Sequence, residues 1–230
     1  MTTTAKYRRF LTALSLVLTG ALVVVWVLLW PAAEHADGLL GAIAATPATA
    51  TISALAFAYA QLFFIVGLLG GAQLVSSRSP VMSNLAATFG IIGGFGHTIF
   101  AGGSFVTLAM AADTANRDIH NAILDREIGW VDGIPLLMGM IGTILAILFL
   151  GIGLLRAKVG PVWIPIALFV FLPLEFAVGN FVPWAYYASG ALYLIALTAI
   201  ATVVWKSPIE QWMTVADGRA AEVESVPAAR

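Results

Sequence analysis

Between Phe10 and Trp30 the sequence runs without a charged side chain, and five further apolar runs follow, near 52 to 75, 81 to 111, 134 to 155, 161 to 182 and 184 to 206. Each is long enough for a helix to cross the hydrocarbon core of a bilayer, which takes roughly 20 residues. This repetition predicts an all-α, polytopic integral membrane protein, a bundle of six transmembrane helices. Composition agrees: 10% of residues are charged and 60% apolar, with a mean hydropathy of +0.96, whereas soluble domains carry about 25% charged residues. The expected organisation is a short cytoplasmic N-terminal segment (1–9), a transmembrane domain (10–206) and a cytoplasmic tail (207–230).

The first run is not a secretion signal. A signal's apolar region is about 7 to 15 residues long and ends at a small-residue cleavage site, whereas this one ends in Trp30-Pro31. Orientation follows from the basic residues between runs. Lys6, Arg8, Arg9, Arg78, Arg156, Lys158, Lys206, Arg219 and Arg230 fall on one side, and only Arg117 and Arg126 on the other. The richer side is expected to be cytoplasmic, with both termini inside and the chain in the plasma membrane. Tryptophan prefers the headgroup level, and Trp26, Trp30, Trp130 and Trp184 then lie at the outer interface and Trp163, Trp205 and Trp212 at the inner one.

The outer loop at 31–51, with Glu34, His35 and Asp37, reads as a short surface segment. In the loop at 112–133, Ile119, Ile123, Leu124 and Ile128 suggest a helix along the membrane surface, anchored by Trp130. After the last run, Ser207-Pro208-Ile209-Glu210 has the form of a capping box with proline at the first helical position. It predicts a short helix with Ile209, Trp212, Met213 and Ala216 on one face, ending at Asp217-Gly218. Beyond it the tail is polar and expected to be disordered.

In the third run Ala86, Gly90, Gly94, Thr98 and Gly102 recur every four residues, a row along which another helix can approach closely. His97 lies on the adjacent row. Helical side chains lean toward the N-terminus, so its imidazole is expected over Gly93 and Gly94.

Glu175 is the only acid deep inside a run, and such a residue is a functional candidate because its charge is costly in hydrocarbon. The apolar medium favours the neutral acid, which can donate a hydrogen bond. Pro173, two residues earlier, cannot donate to the carbonyl of Phe169 and should kink the helix. Gln61, His97 and Tyr193 fall at overlapping depths on other helices, with Asn180 one and a half turns beyond Glu175. Convergent polar groups in an apolar bundle are what a small-molecule site requires, so Glu175, His97, Gln61, Tyr193 and Asn180 are the candidate ligand- or proton-binding residues.

Pro173-Leu174-Glu175 resembles the first three positions of the Pro-x-Glu-Glu motif of the small, heterodimeric lycopene cyclases, which act on polyenes within the membrane. Phe176 stands where the second acid would be, and no second copy is present. The resemblance implies only that Glu175 is a proton donor.

Several classes are excluded or disfavoured. No basic stripe suggests nucleic acid, and the absence of cysteine removes disulfides, thiolate metal sites and thiol nucleophiles. One histidine within the runs does not supply bis-histidine haem ligation, and neither a metal nor a cofactor is expected. Runs this poor in polar residues argue against a wide aqueous pore. The remaining readings are a carrier or binding protein for a small or lipid-like molecule using Glu175 and His97, an intramembrane isoprenoid or lipid enzyme with Glu175 as general acid, or a non-catalytic subunit whose small-residue row meets a membrane partner or a second copy.

Overall fold

The computed structural model of the protein describes residues 2–31, 38–126 and 130–213. The eight α-helices among them are α1 (Thr2–Leu29), α2 (Gly38–Ala45), α3 (Pro47–Val75), α4 (Pro80–Ala112), α5 (Arg117–Leu124), α6 (Trp130–Ala157), α7 (Trp163–Phe176) and α8 (Trp184–Lys206). Helices α1, α3, α4, α6 and α8 are long and apolar enough to cross a membrane. Their outward faces carry large apolar side chains such as Leu62, Phe95, Val106 and Ile195, each more than half exposed. That is a surface suited to lipid and not to water.

The fifth apolar run is not one long helix. α7 has 14 residues, about 21 Å at helical rise, short of a core about 30 Å thick. The cause is local. Pro173 removes a backbone donor one turn before the end, and the helix closes with the Ala177 N–H on the Pro173 carbonyl at 3.1 Å. A 3₁₀ turn over Val178–Asn180 follows. There the chain passes under the Tyr186 ring, from which a Cβ on Gly179 would stand only 2.7 Å. Pro183 then holds Val182 out of the helical region, and α8 returns antiparallel to α7.

α1 and α3 both start earlier than the apolar runs that mark them. Nothing between Thr2 and Phe10 breaks a helix, so the basic segment expected to stand apart from the first span is the opening of α1. The loop at 31–51 contains α2, whose Leu40 and Ile43 are buried with Ala50 of α3 and Ala111 of α4. Pro47 occupies the first turn of α3, which therefore begins five residues before the expected 52. Glu34, His35 and Asp37 lie outside the described residues.

The closest helix approach is between α4 and α6, and it uses a different row from the one expected. Cβ atoms added to Gly93 would lie 2.5 Å from the Thr143 backbone nitrogen, and to Gly142 2.6 Å from the Gly93 Cα. Gly96 likewise faces the Pro135 carbonyl at 2.7 Å. Such distances leave no space for any side chain. Of the predicted row, Ala86 is buried, while Gly90 and Gly94 receive Leu68 and Ile65 of α3. Thr98 is exposed and donates to the Gly94 carbonyl at 2.7 Å, and Gly102 faces open space. The row is thus a groove for side chains of α3 over half its length and unoccupied above it.

The first and last described elements meet at one end of the bundle. Arg8 Nη1 donates to the Trp212 carbonyl at 3.2 Å and Arg9 Nη1 to the Ser207 carbonyl at 3.0 Å, while the Arg9 guanidinium lies over the Trp205 ring. The expected α-helix after Ser207 is a four-residue 3₁₀ helix, Ile209–Trp212, with no side-chain cap. The Ser207 hydroxyl that would have capped it donates instead to the Val204 carbonyl at 2.6 Å and accepts from Trp212 Nε1 at 2.7 Å. Trp212 is buried in the core. Ala216 and the rest of the tail lie outside the described residues.

At the opposite end α5 forms within the loop at 112–133, with Ile119, Ile123 and Leu124 exposed as expected of a surface helix. Ile128 and the side chain of Trp130 lie outside the described residues. At the junction with α4, Asp113 Oδ2 accepts from Asn116 Nδ2 at 2.9 Å and from His120 Nε2 at 3.1 Å. These two hydrogen bonds, Asn116 first, hold the Asp113 carboxyl below the usual aspartate range.

Candidate functional site

Six helices, α1, α3, α4, α6, α7 and α8, line a half-open cavity of about 280 Å³. Four of the five residues singled out in the sequence line it: Glu175, His97, Gln61 and Tyr193. The side chain of Asn180 lies outside the described residues. Thr19 and Trp26 both face the cavity from α1, so it extends for about 10 Å along the bundle.

Glu175 stands in the last turn of α7, where the proline-weakened helix is about to end. Opposite it on α8 is Ser189, fully buried, whose Oγ lies 2.5 Å from Glu175 Oε2 and 2.9 Å from the Tyr186 carbonyl. One turn deeper, Phe171 and Tyr193 stack with centroids 4.3 Å apart and planes 14° from parallel. Both pairs are symmetric about Val182: Glu175 and Ser189 lie seven residues to either side, Phe171 and Tyr193 eleven.

His97 enters from α4. Its ring does not cover Gly93 and Gly94, because Thr143 and Ile65 already fill the space beside them. It lies on Gly139 of α6 instead, where a Cβ would stand 2.7 Å from Nδ1, and meets the Phe57 ring edge to face at 5.7 Å. Nδ1 of His97 and Oγ1 of Thr143 are both buried without a hydrogen bond. Buried polar atoms ordinarily find partners, so two unpartnered ones in the lining of one cavity stand out. Gln61 spends one amide hydrogen on the Phe57 carbonyl a turn before it, at 3.2 Å.

The rest of the wall is aromatic. Phe57 sits against Trp26 at 4.7 Å and Phe100 at 6.2 Å, and Phe64, Phe176 and Tyr186 complete the lining with Phe171 and Tyr193. Among the lining residues there is one carboxyl, one imidazole, and no lysine or arginine. Sequence reading missed Ser189, Thr143 and the aromatic shell. Ser189 had a signal, its mirror position to Glu175 about the α7–α8 turn. Thr143 and the aromatics had none, since the same residues at the same spacing serve equally well facing lipid.

Comparison with known protein families, curated proteins and solved structures finds no match for this chain. The fold and composition define its class: a multi-pass, all-helical membrane protein with a half-open polar and aromatic cavity between its helices.

Proposed function

We propose that the protein is a plasma-membrane carrier or binding protein for a small, largely apolar molecule, held in the six-helix cavity with Glu175 and His97 handling a proton. The observation that carries this reading is the convergence of a carboxyl, an imidazole, an amide and a phenol, from helices distant in sequence, on one aromatic-lined space. Small-molecule sites have this make-up, a mainly apolar wall with few oriented polar groups. A volume of about 280 Å³ sits near the lower end of the usual range of roughly 300 to 1,000 Å³.

In the same reading the chain crosses the bilayer six times, α7 with its 3₁₀ turn making the short crossing. The contact between Arg8 and Trp212 supports an even number of passes, and the excess of basic residues at that end supports its being cytoplasmic. The subunit reading loses ground, because Gly90 and Gly94 are occupied within the chain by Leu68 and Ile65.

Native mass spectrometry of the protein extracted gently from its own membrane tests the proposal. A bound small molecule in the wild type, lost in Glu175→Gln and His97→Ala variants that still fold, is the expected result. A wild-type protein bare of any ligand and indifferent to added amphiphiles overturns it.

A further inference from the structure

Resting on the cavity as the binding site, we infer that its ligand is a monovalent substituted ammonium with apolar substituents, taken up in exchange for the proton of Glu175. The charge inventory gives the sign. An anion entering the cavity would meet Glu175 and find no lysine or arginine to pair with. The only lining group able to carry positive charge is His97, whose Nδ1 has no partner. A cation meets one carboxyl and a wall rich in aromatic rings, and aromatic rings attract cations through their quadrupole. Substituted ammonium groups, weakly hydrated and short of donors, are the cations that such cages hold.

The geometry around Ser189 supplies the exchange. Its hydroxyl carries one hydrogen but has two acceptors in reach, Glu175 Oε2 and the Tyr186 carbonyl. With Glu175 protonated, the acid donates to Ser189 Oγ and Ser189 donates to Tyr186, and every group is satisfied. With Glu175 ionised, the Ser189 hydroxyl turns to donate to the carboxylate. Ser189 thus serves both states without moving its oxygen. Tyr186 and Tyr193 from α8 and His97 from α4 share the cavity with Glu175, and neither phenol carries charge at neutral pH. Loss of one proton to water as one cation enters keeps the net charge of the cavity constant, which matters where an unpaired charge is costly. Ser189 is a positioning residue in this scheme and Glu175 the binding group.

The test uses the full-length protein in detergent with two probes of one shape, benzyltrimethylammonium and its neutral carbon isostere neopentylbenzene, against protein-free micelles. The expected result is saturable binding of the cation at least tenfold tighter than of the isostere. Proton release into weakly buffered solution should approach one per cation. Affinity should fall about tenfold per unit of acidification wherever Glu175 is protonated. Glu175→Gln should lose the proton release and the pH dependence, while Glu175→Asp keeps both. If Glu175→Gln fails to fold, the proton count on the wild type decides alone. Competition by dihexanoylphosphatidylcholine would assign the ammonium to a lipid headgroup, and its failure to compete would assign it to a free cation. Equal binding of both probes without proton release overturns the cation and leaves the cavity reading intact. Binding of neither probe, with a neutral or anionic molecule copurifying, does the same. Binding of neither, with nothing copurifying, overturns both.

Discussion

His97 and Gly139 lock together across the tightest helix contact in the bundle: the imidazole covers the glycine so closely that a Cβ there would stand 2.7 Å from Nδ1 and 2.8 Å from Cγ. The ring is therefore positioned by the absence of a side chain on α6. Gly139→Ala should force the imidazole toward the cavity and destabilise the protein by about 1 to 3 kcal/mol, the usual cost of overpacking. Adding His97→Ala should recover most of that loss, because the two atoms in conflict are then no longer both present. A double-mutant cycle by thermal unfolding in detergent measures the coupling. Additive effects would mean the ring does not rest on Gly139.

A second pair of substitutions separates the two glycine rows. A Cβ on Gly93 meets the backbone of Thr143 and Gly142, neither of which can turn aside, whereas one on Gly102 meets nothing within 4 Å. Gly93→Ala should therefore lower the midpoint of thermal unfolding by several degrees, and Gly102→Ala should leave it unchanged or raise it slightly, since alanine is the better helix former by about 1 kcal/mol. The reverse order would restore the four-residue row as the principal seam.

The docked tail yields a third. Trp212 Nε1 donates to Ser207 Oγ in a buried setting, so Ser207→Ala leaves an indole N–H without its acceptor. The expected cost is about 1 to 3 kcal/mol, the penalty for an unsatisfied buried donor. Trp212→Phe removes the donor but also leaves a cavity in the core, so in a double-mutant cycle the two substitutions should cost less together than the sum of each alone. Limited proteolysis near Gln211 reports the release: cleavage should speed up in Ser207→Ala. Unchanged cleavage would show that the hydrogen bond does not hold the tail.

How far the sequence alone could reach is clear from these same residues. Apolar run length marked the long helices, because hydrocarbon thickness sets a minimum and nothing else in a chain produces uncharged runs of that size. Glu175, His97, Gln61 and Tyr193 were legible as odd polar groups at like depth, but depth does not fix rotation about a helix axis. Which of them faced one another depended on tertiary packing. The small-residue row was half legible for that reason: Gly90 and Gly94 do take side chains of α3, yet the backbone approach to α6 runs through Gly93 and Gly96, whose spacing is just as compatible with one face. α2 was missed because a short apolar helix without charge or cap looks like an alanine-rich loop. The end of α7 was half legible, since Pro173 marks a weakening and only the packing of Tyr186 over Gly179 turns it into a stop.

The junction between α4 and α5 has its own pH dependence, outside the apolar site. Asp113 accepts from Asn116 and His120 as a carboxylate, and its pKa is lowered from the ordinary 3.8, chiefly by the Asn116 hydrogen bond and next by that of His120. A group whose folded pKa lies below its unfolded value adds stability that is present above the unfolded value and is lost as pH falls through the folded one. The junction should thus hold its form through pH 3.8 and loosen only on further acidification. Carbon-13 NMR of the Asp113 carboxyl in detergent micelles follows the titration directly. Its midpoint should move up toward the ordinary value in Asn116→Ala, and by a smaller step in His120→Ala. A wild-type midpoint at or above the ordinary aspartate value would show that neither hydrogen bond holds the carboxylate.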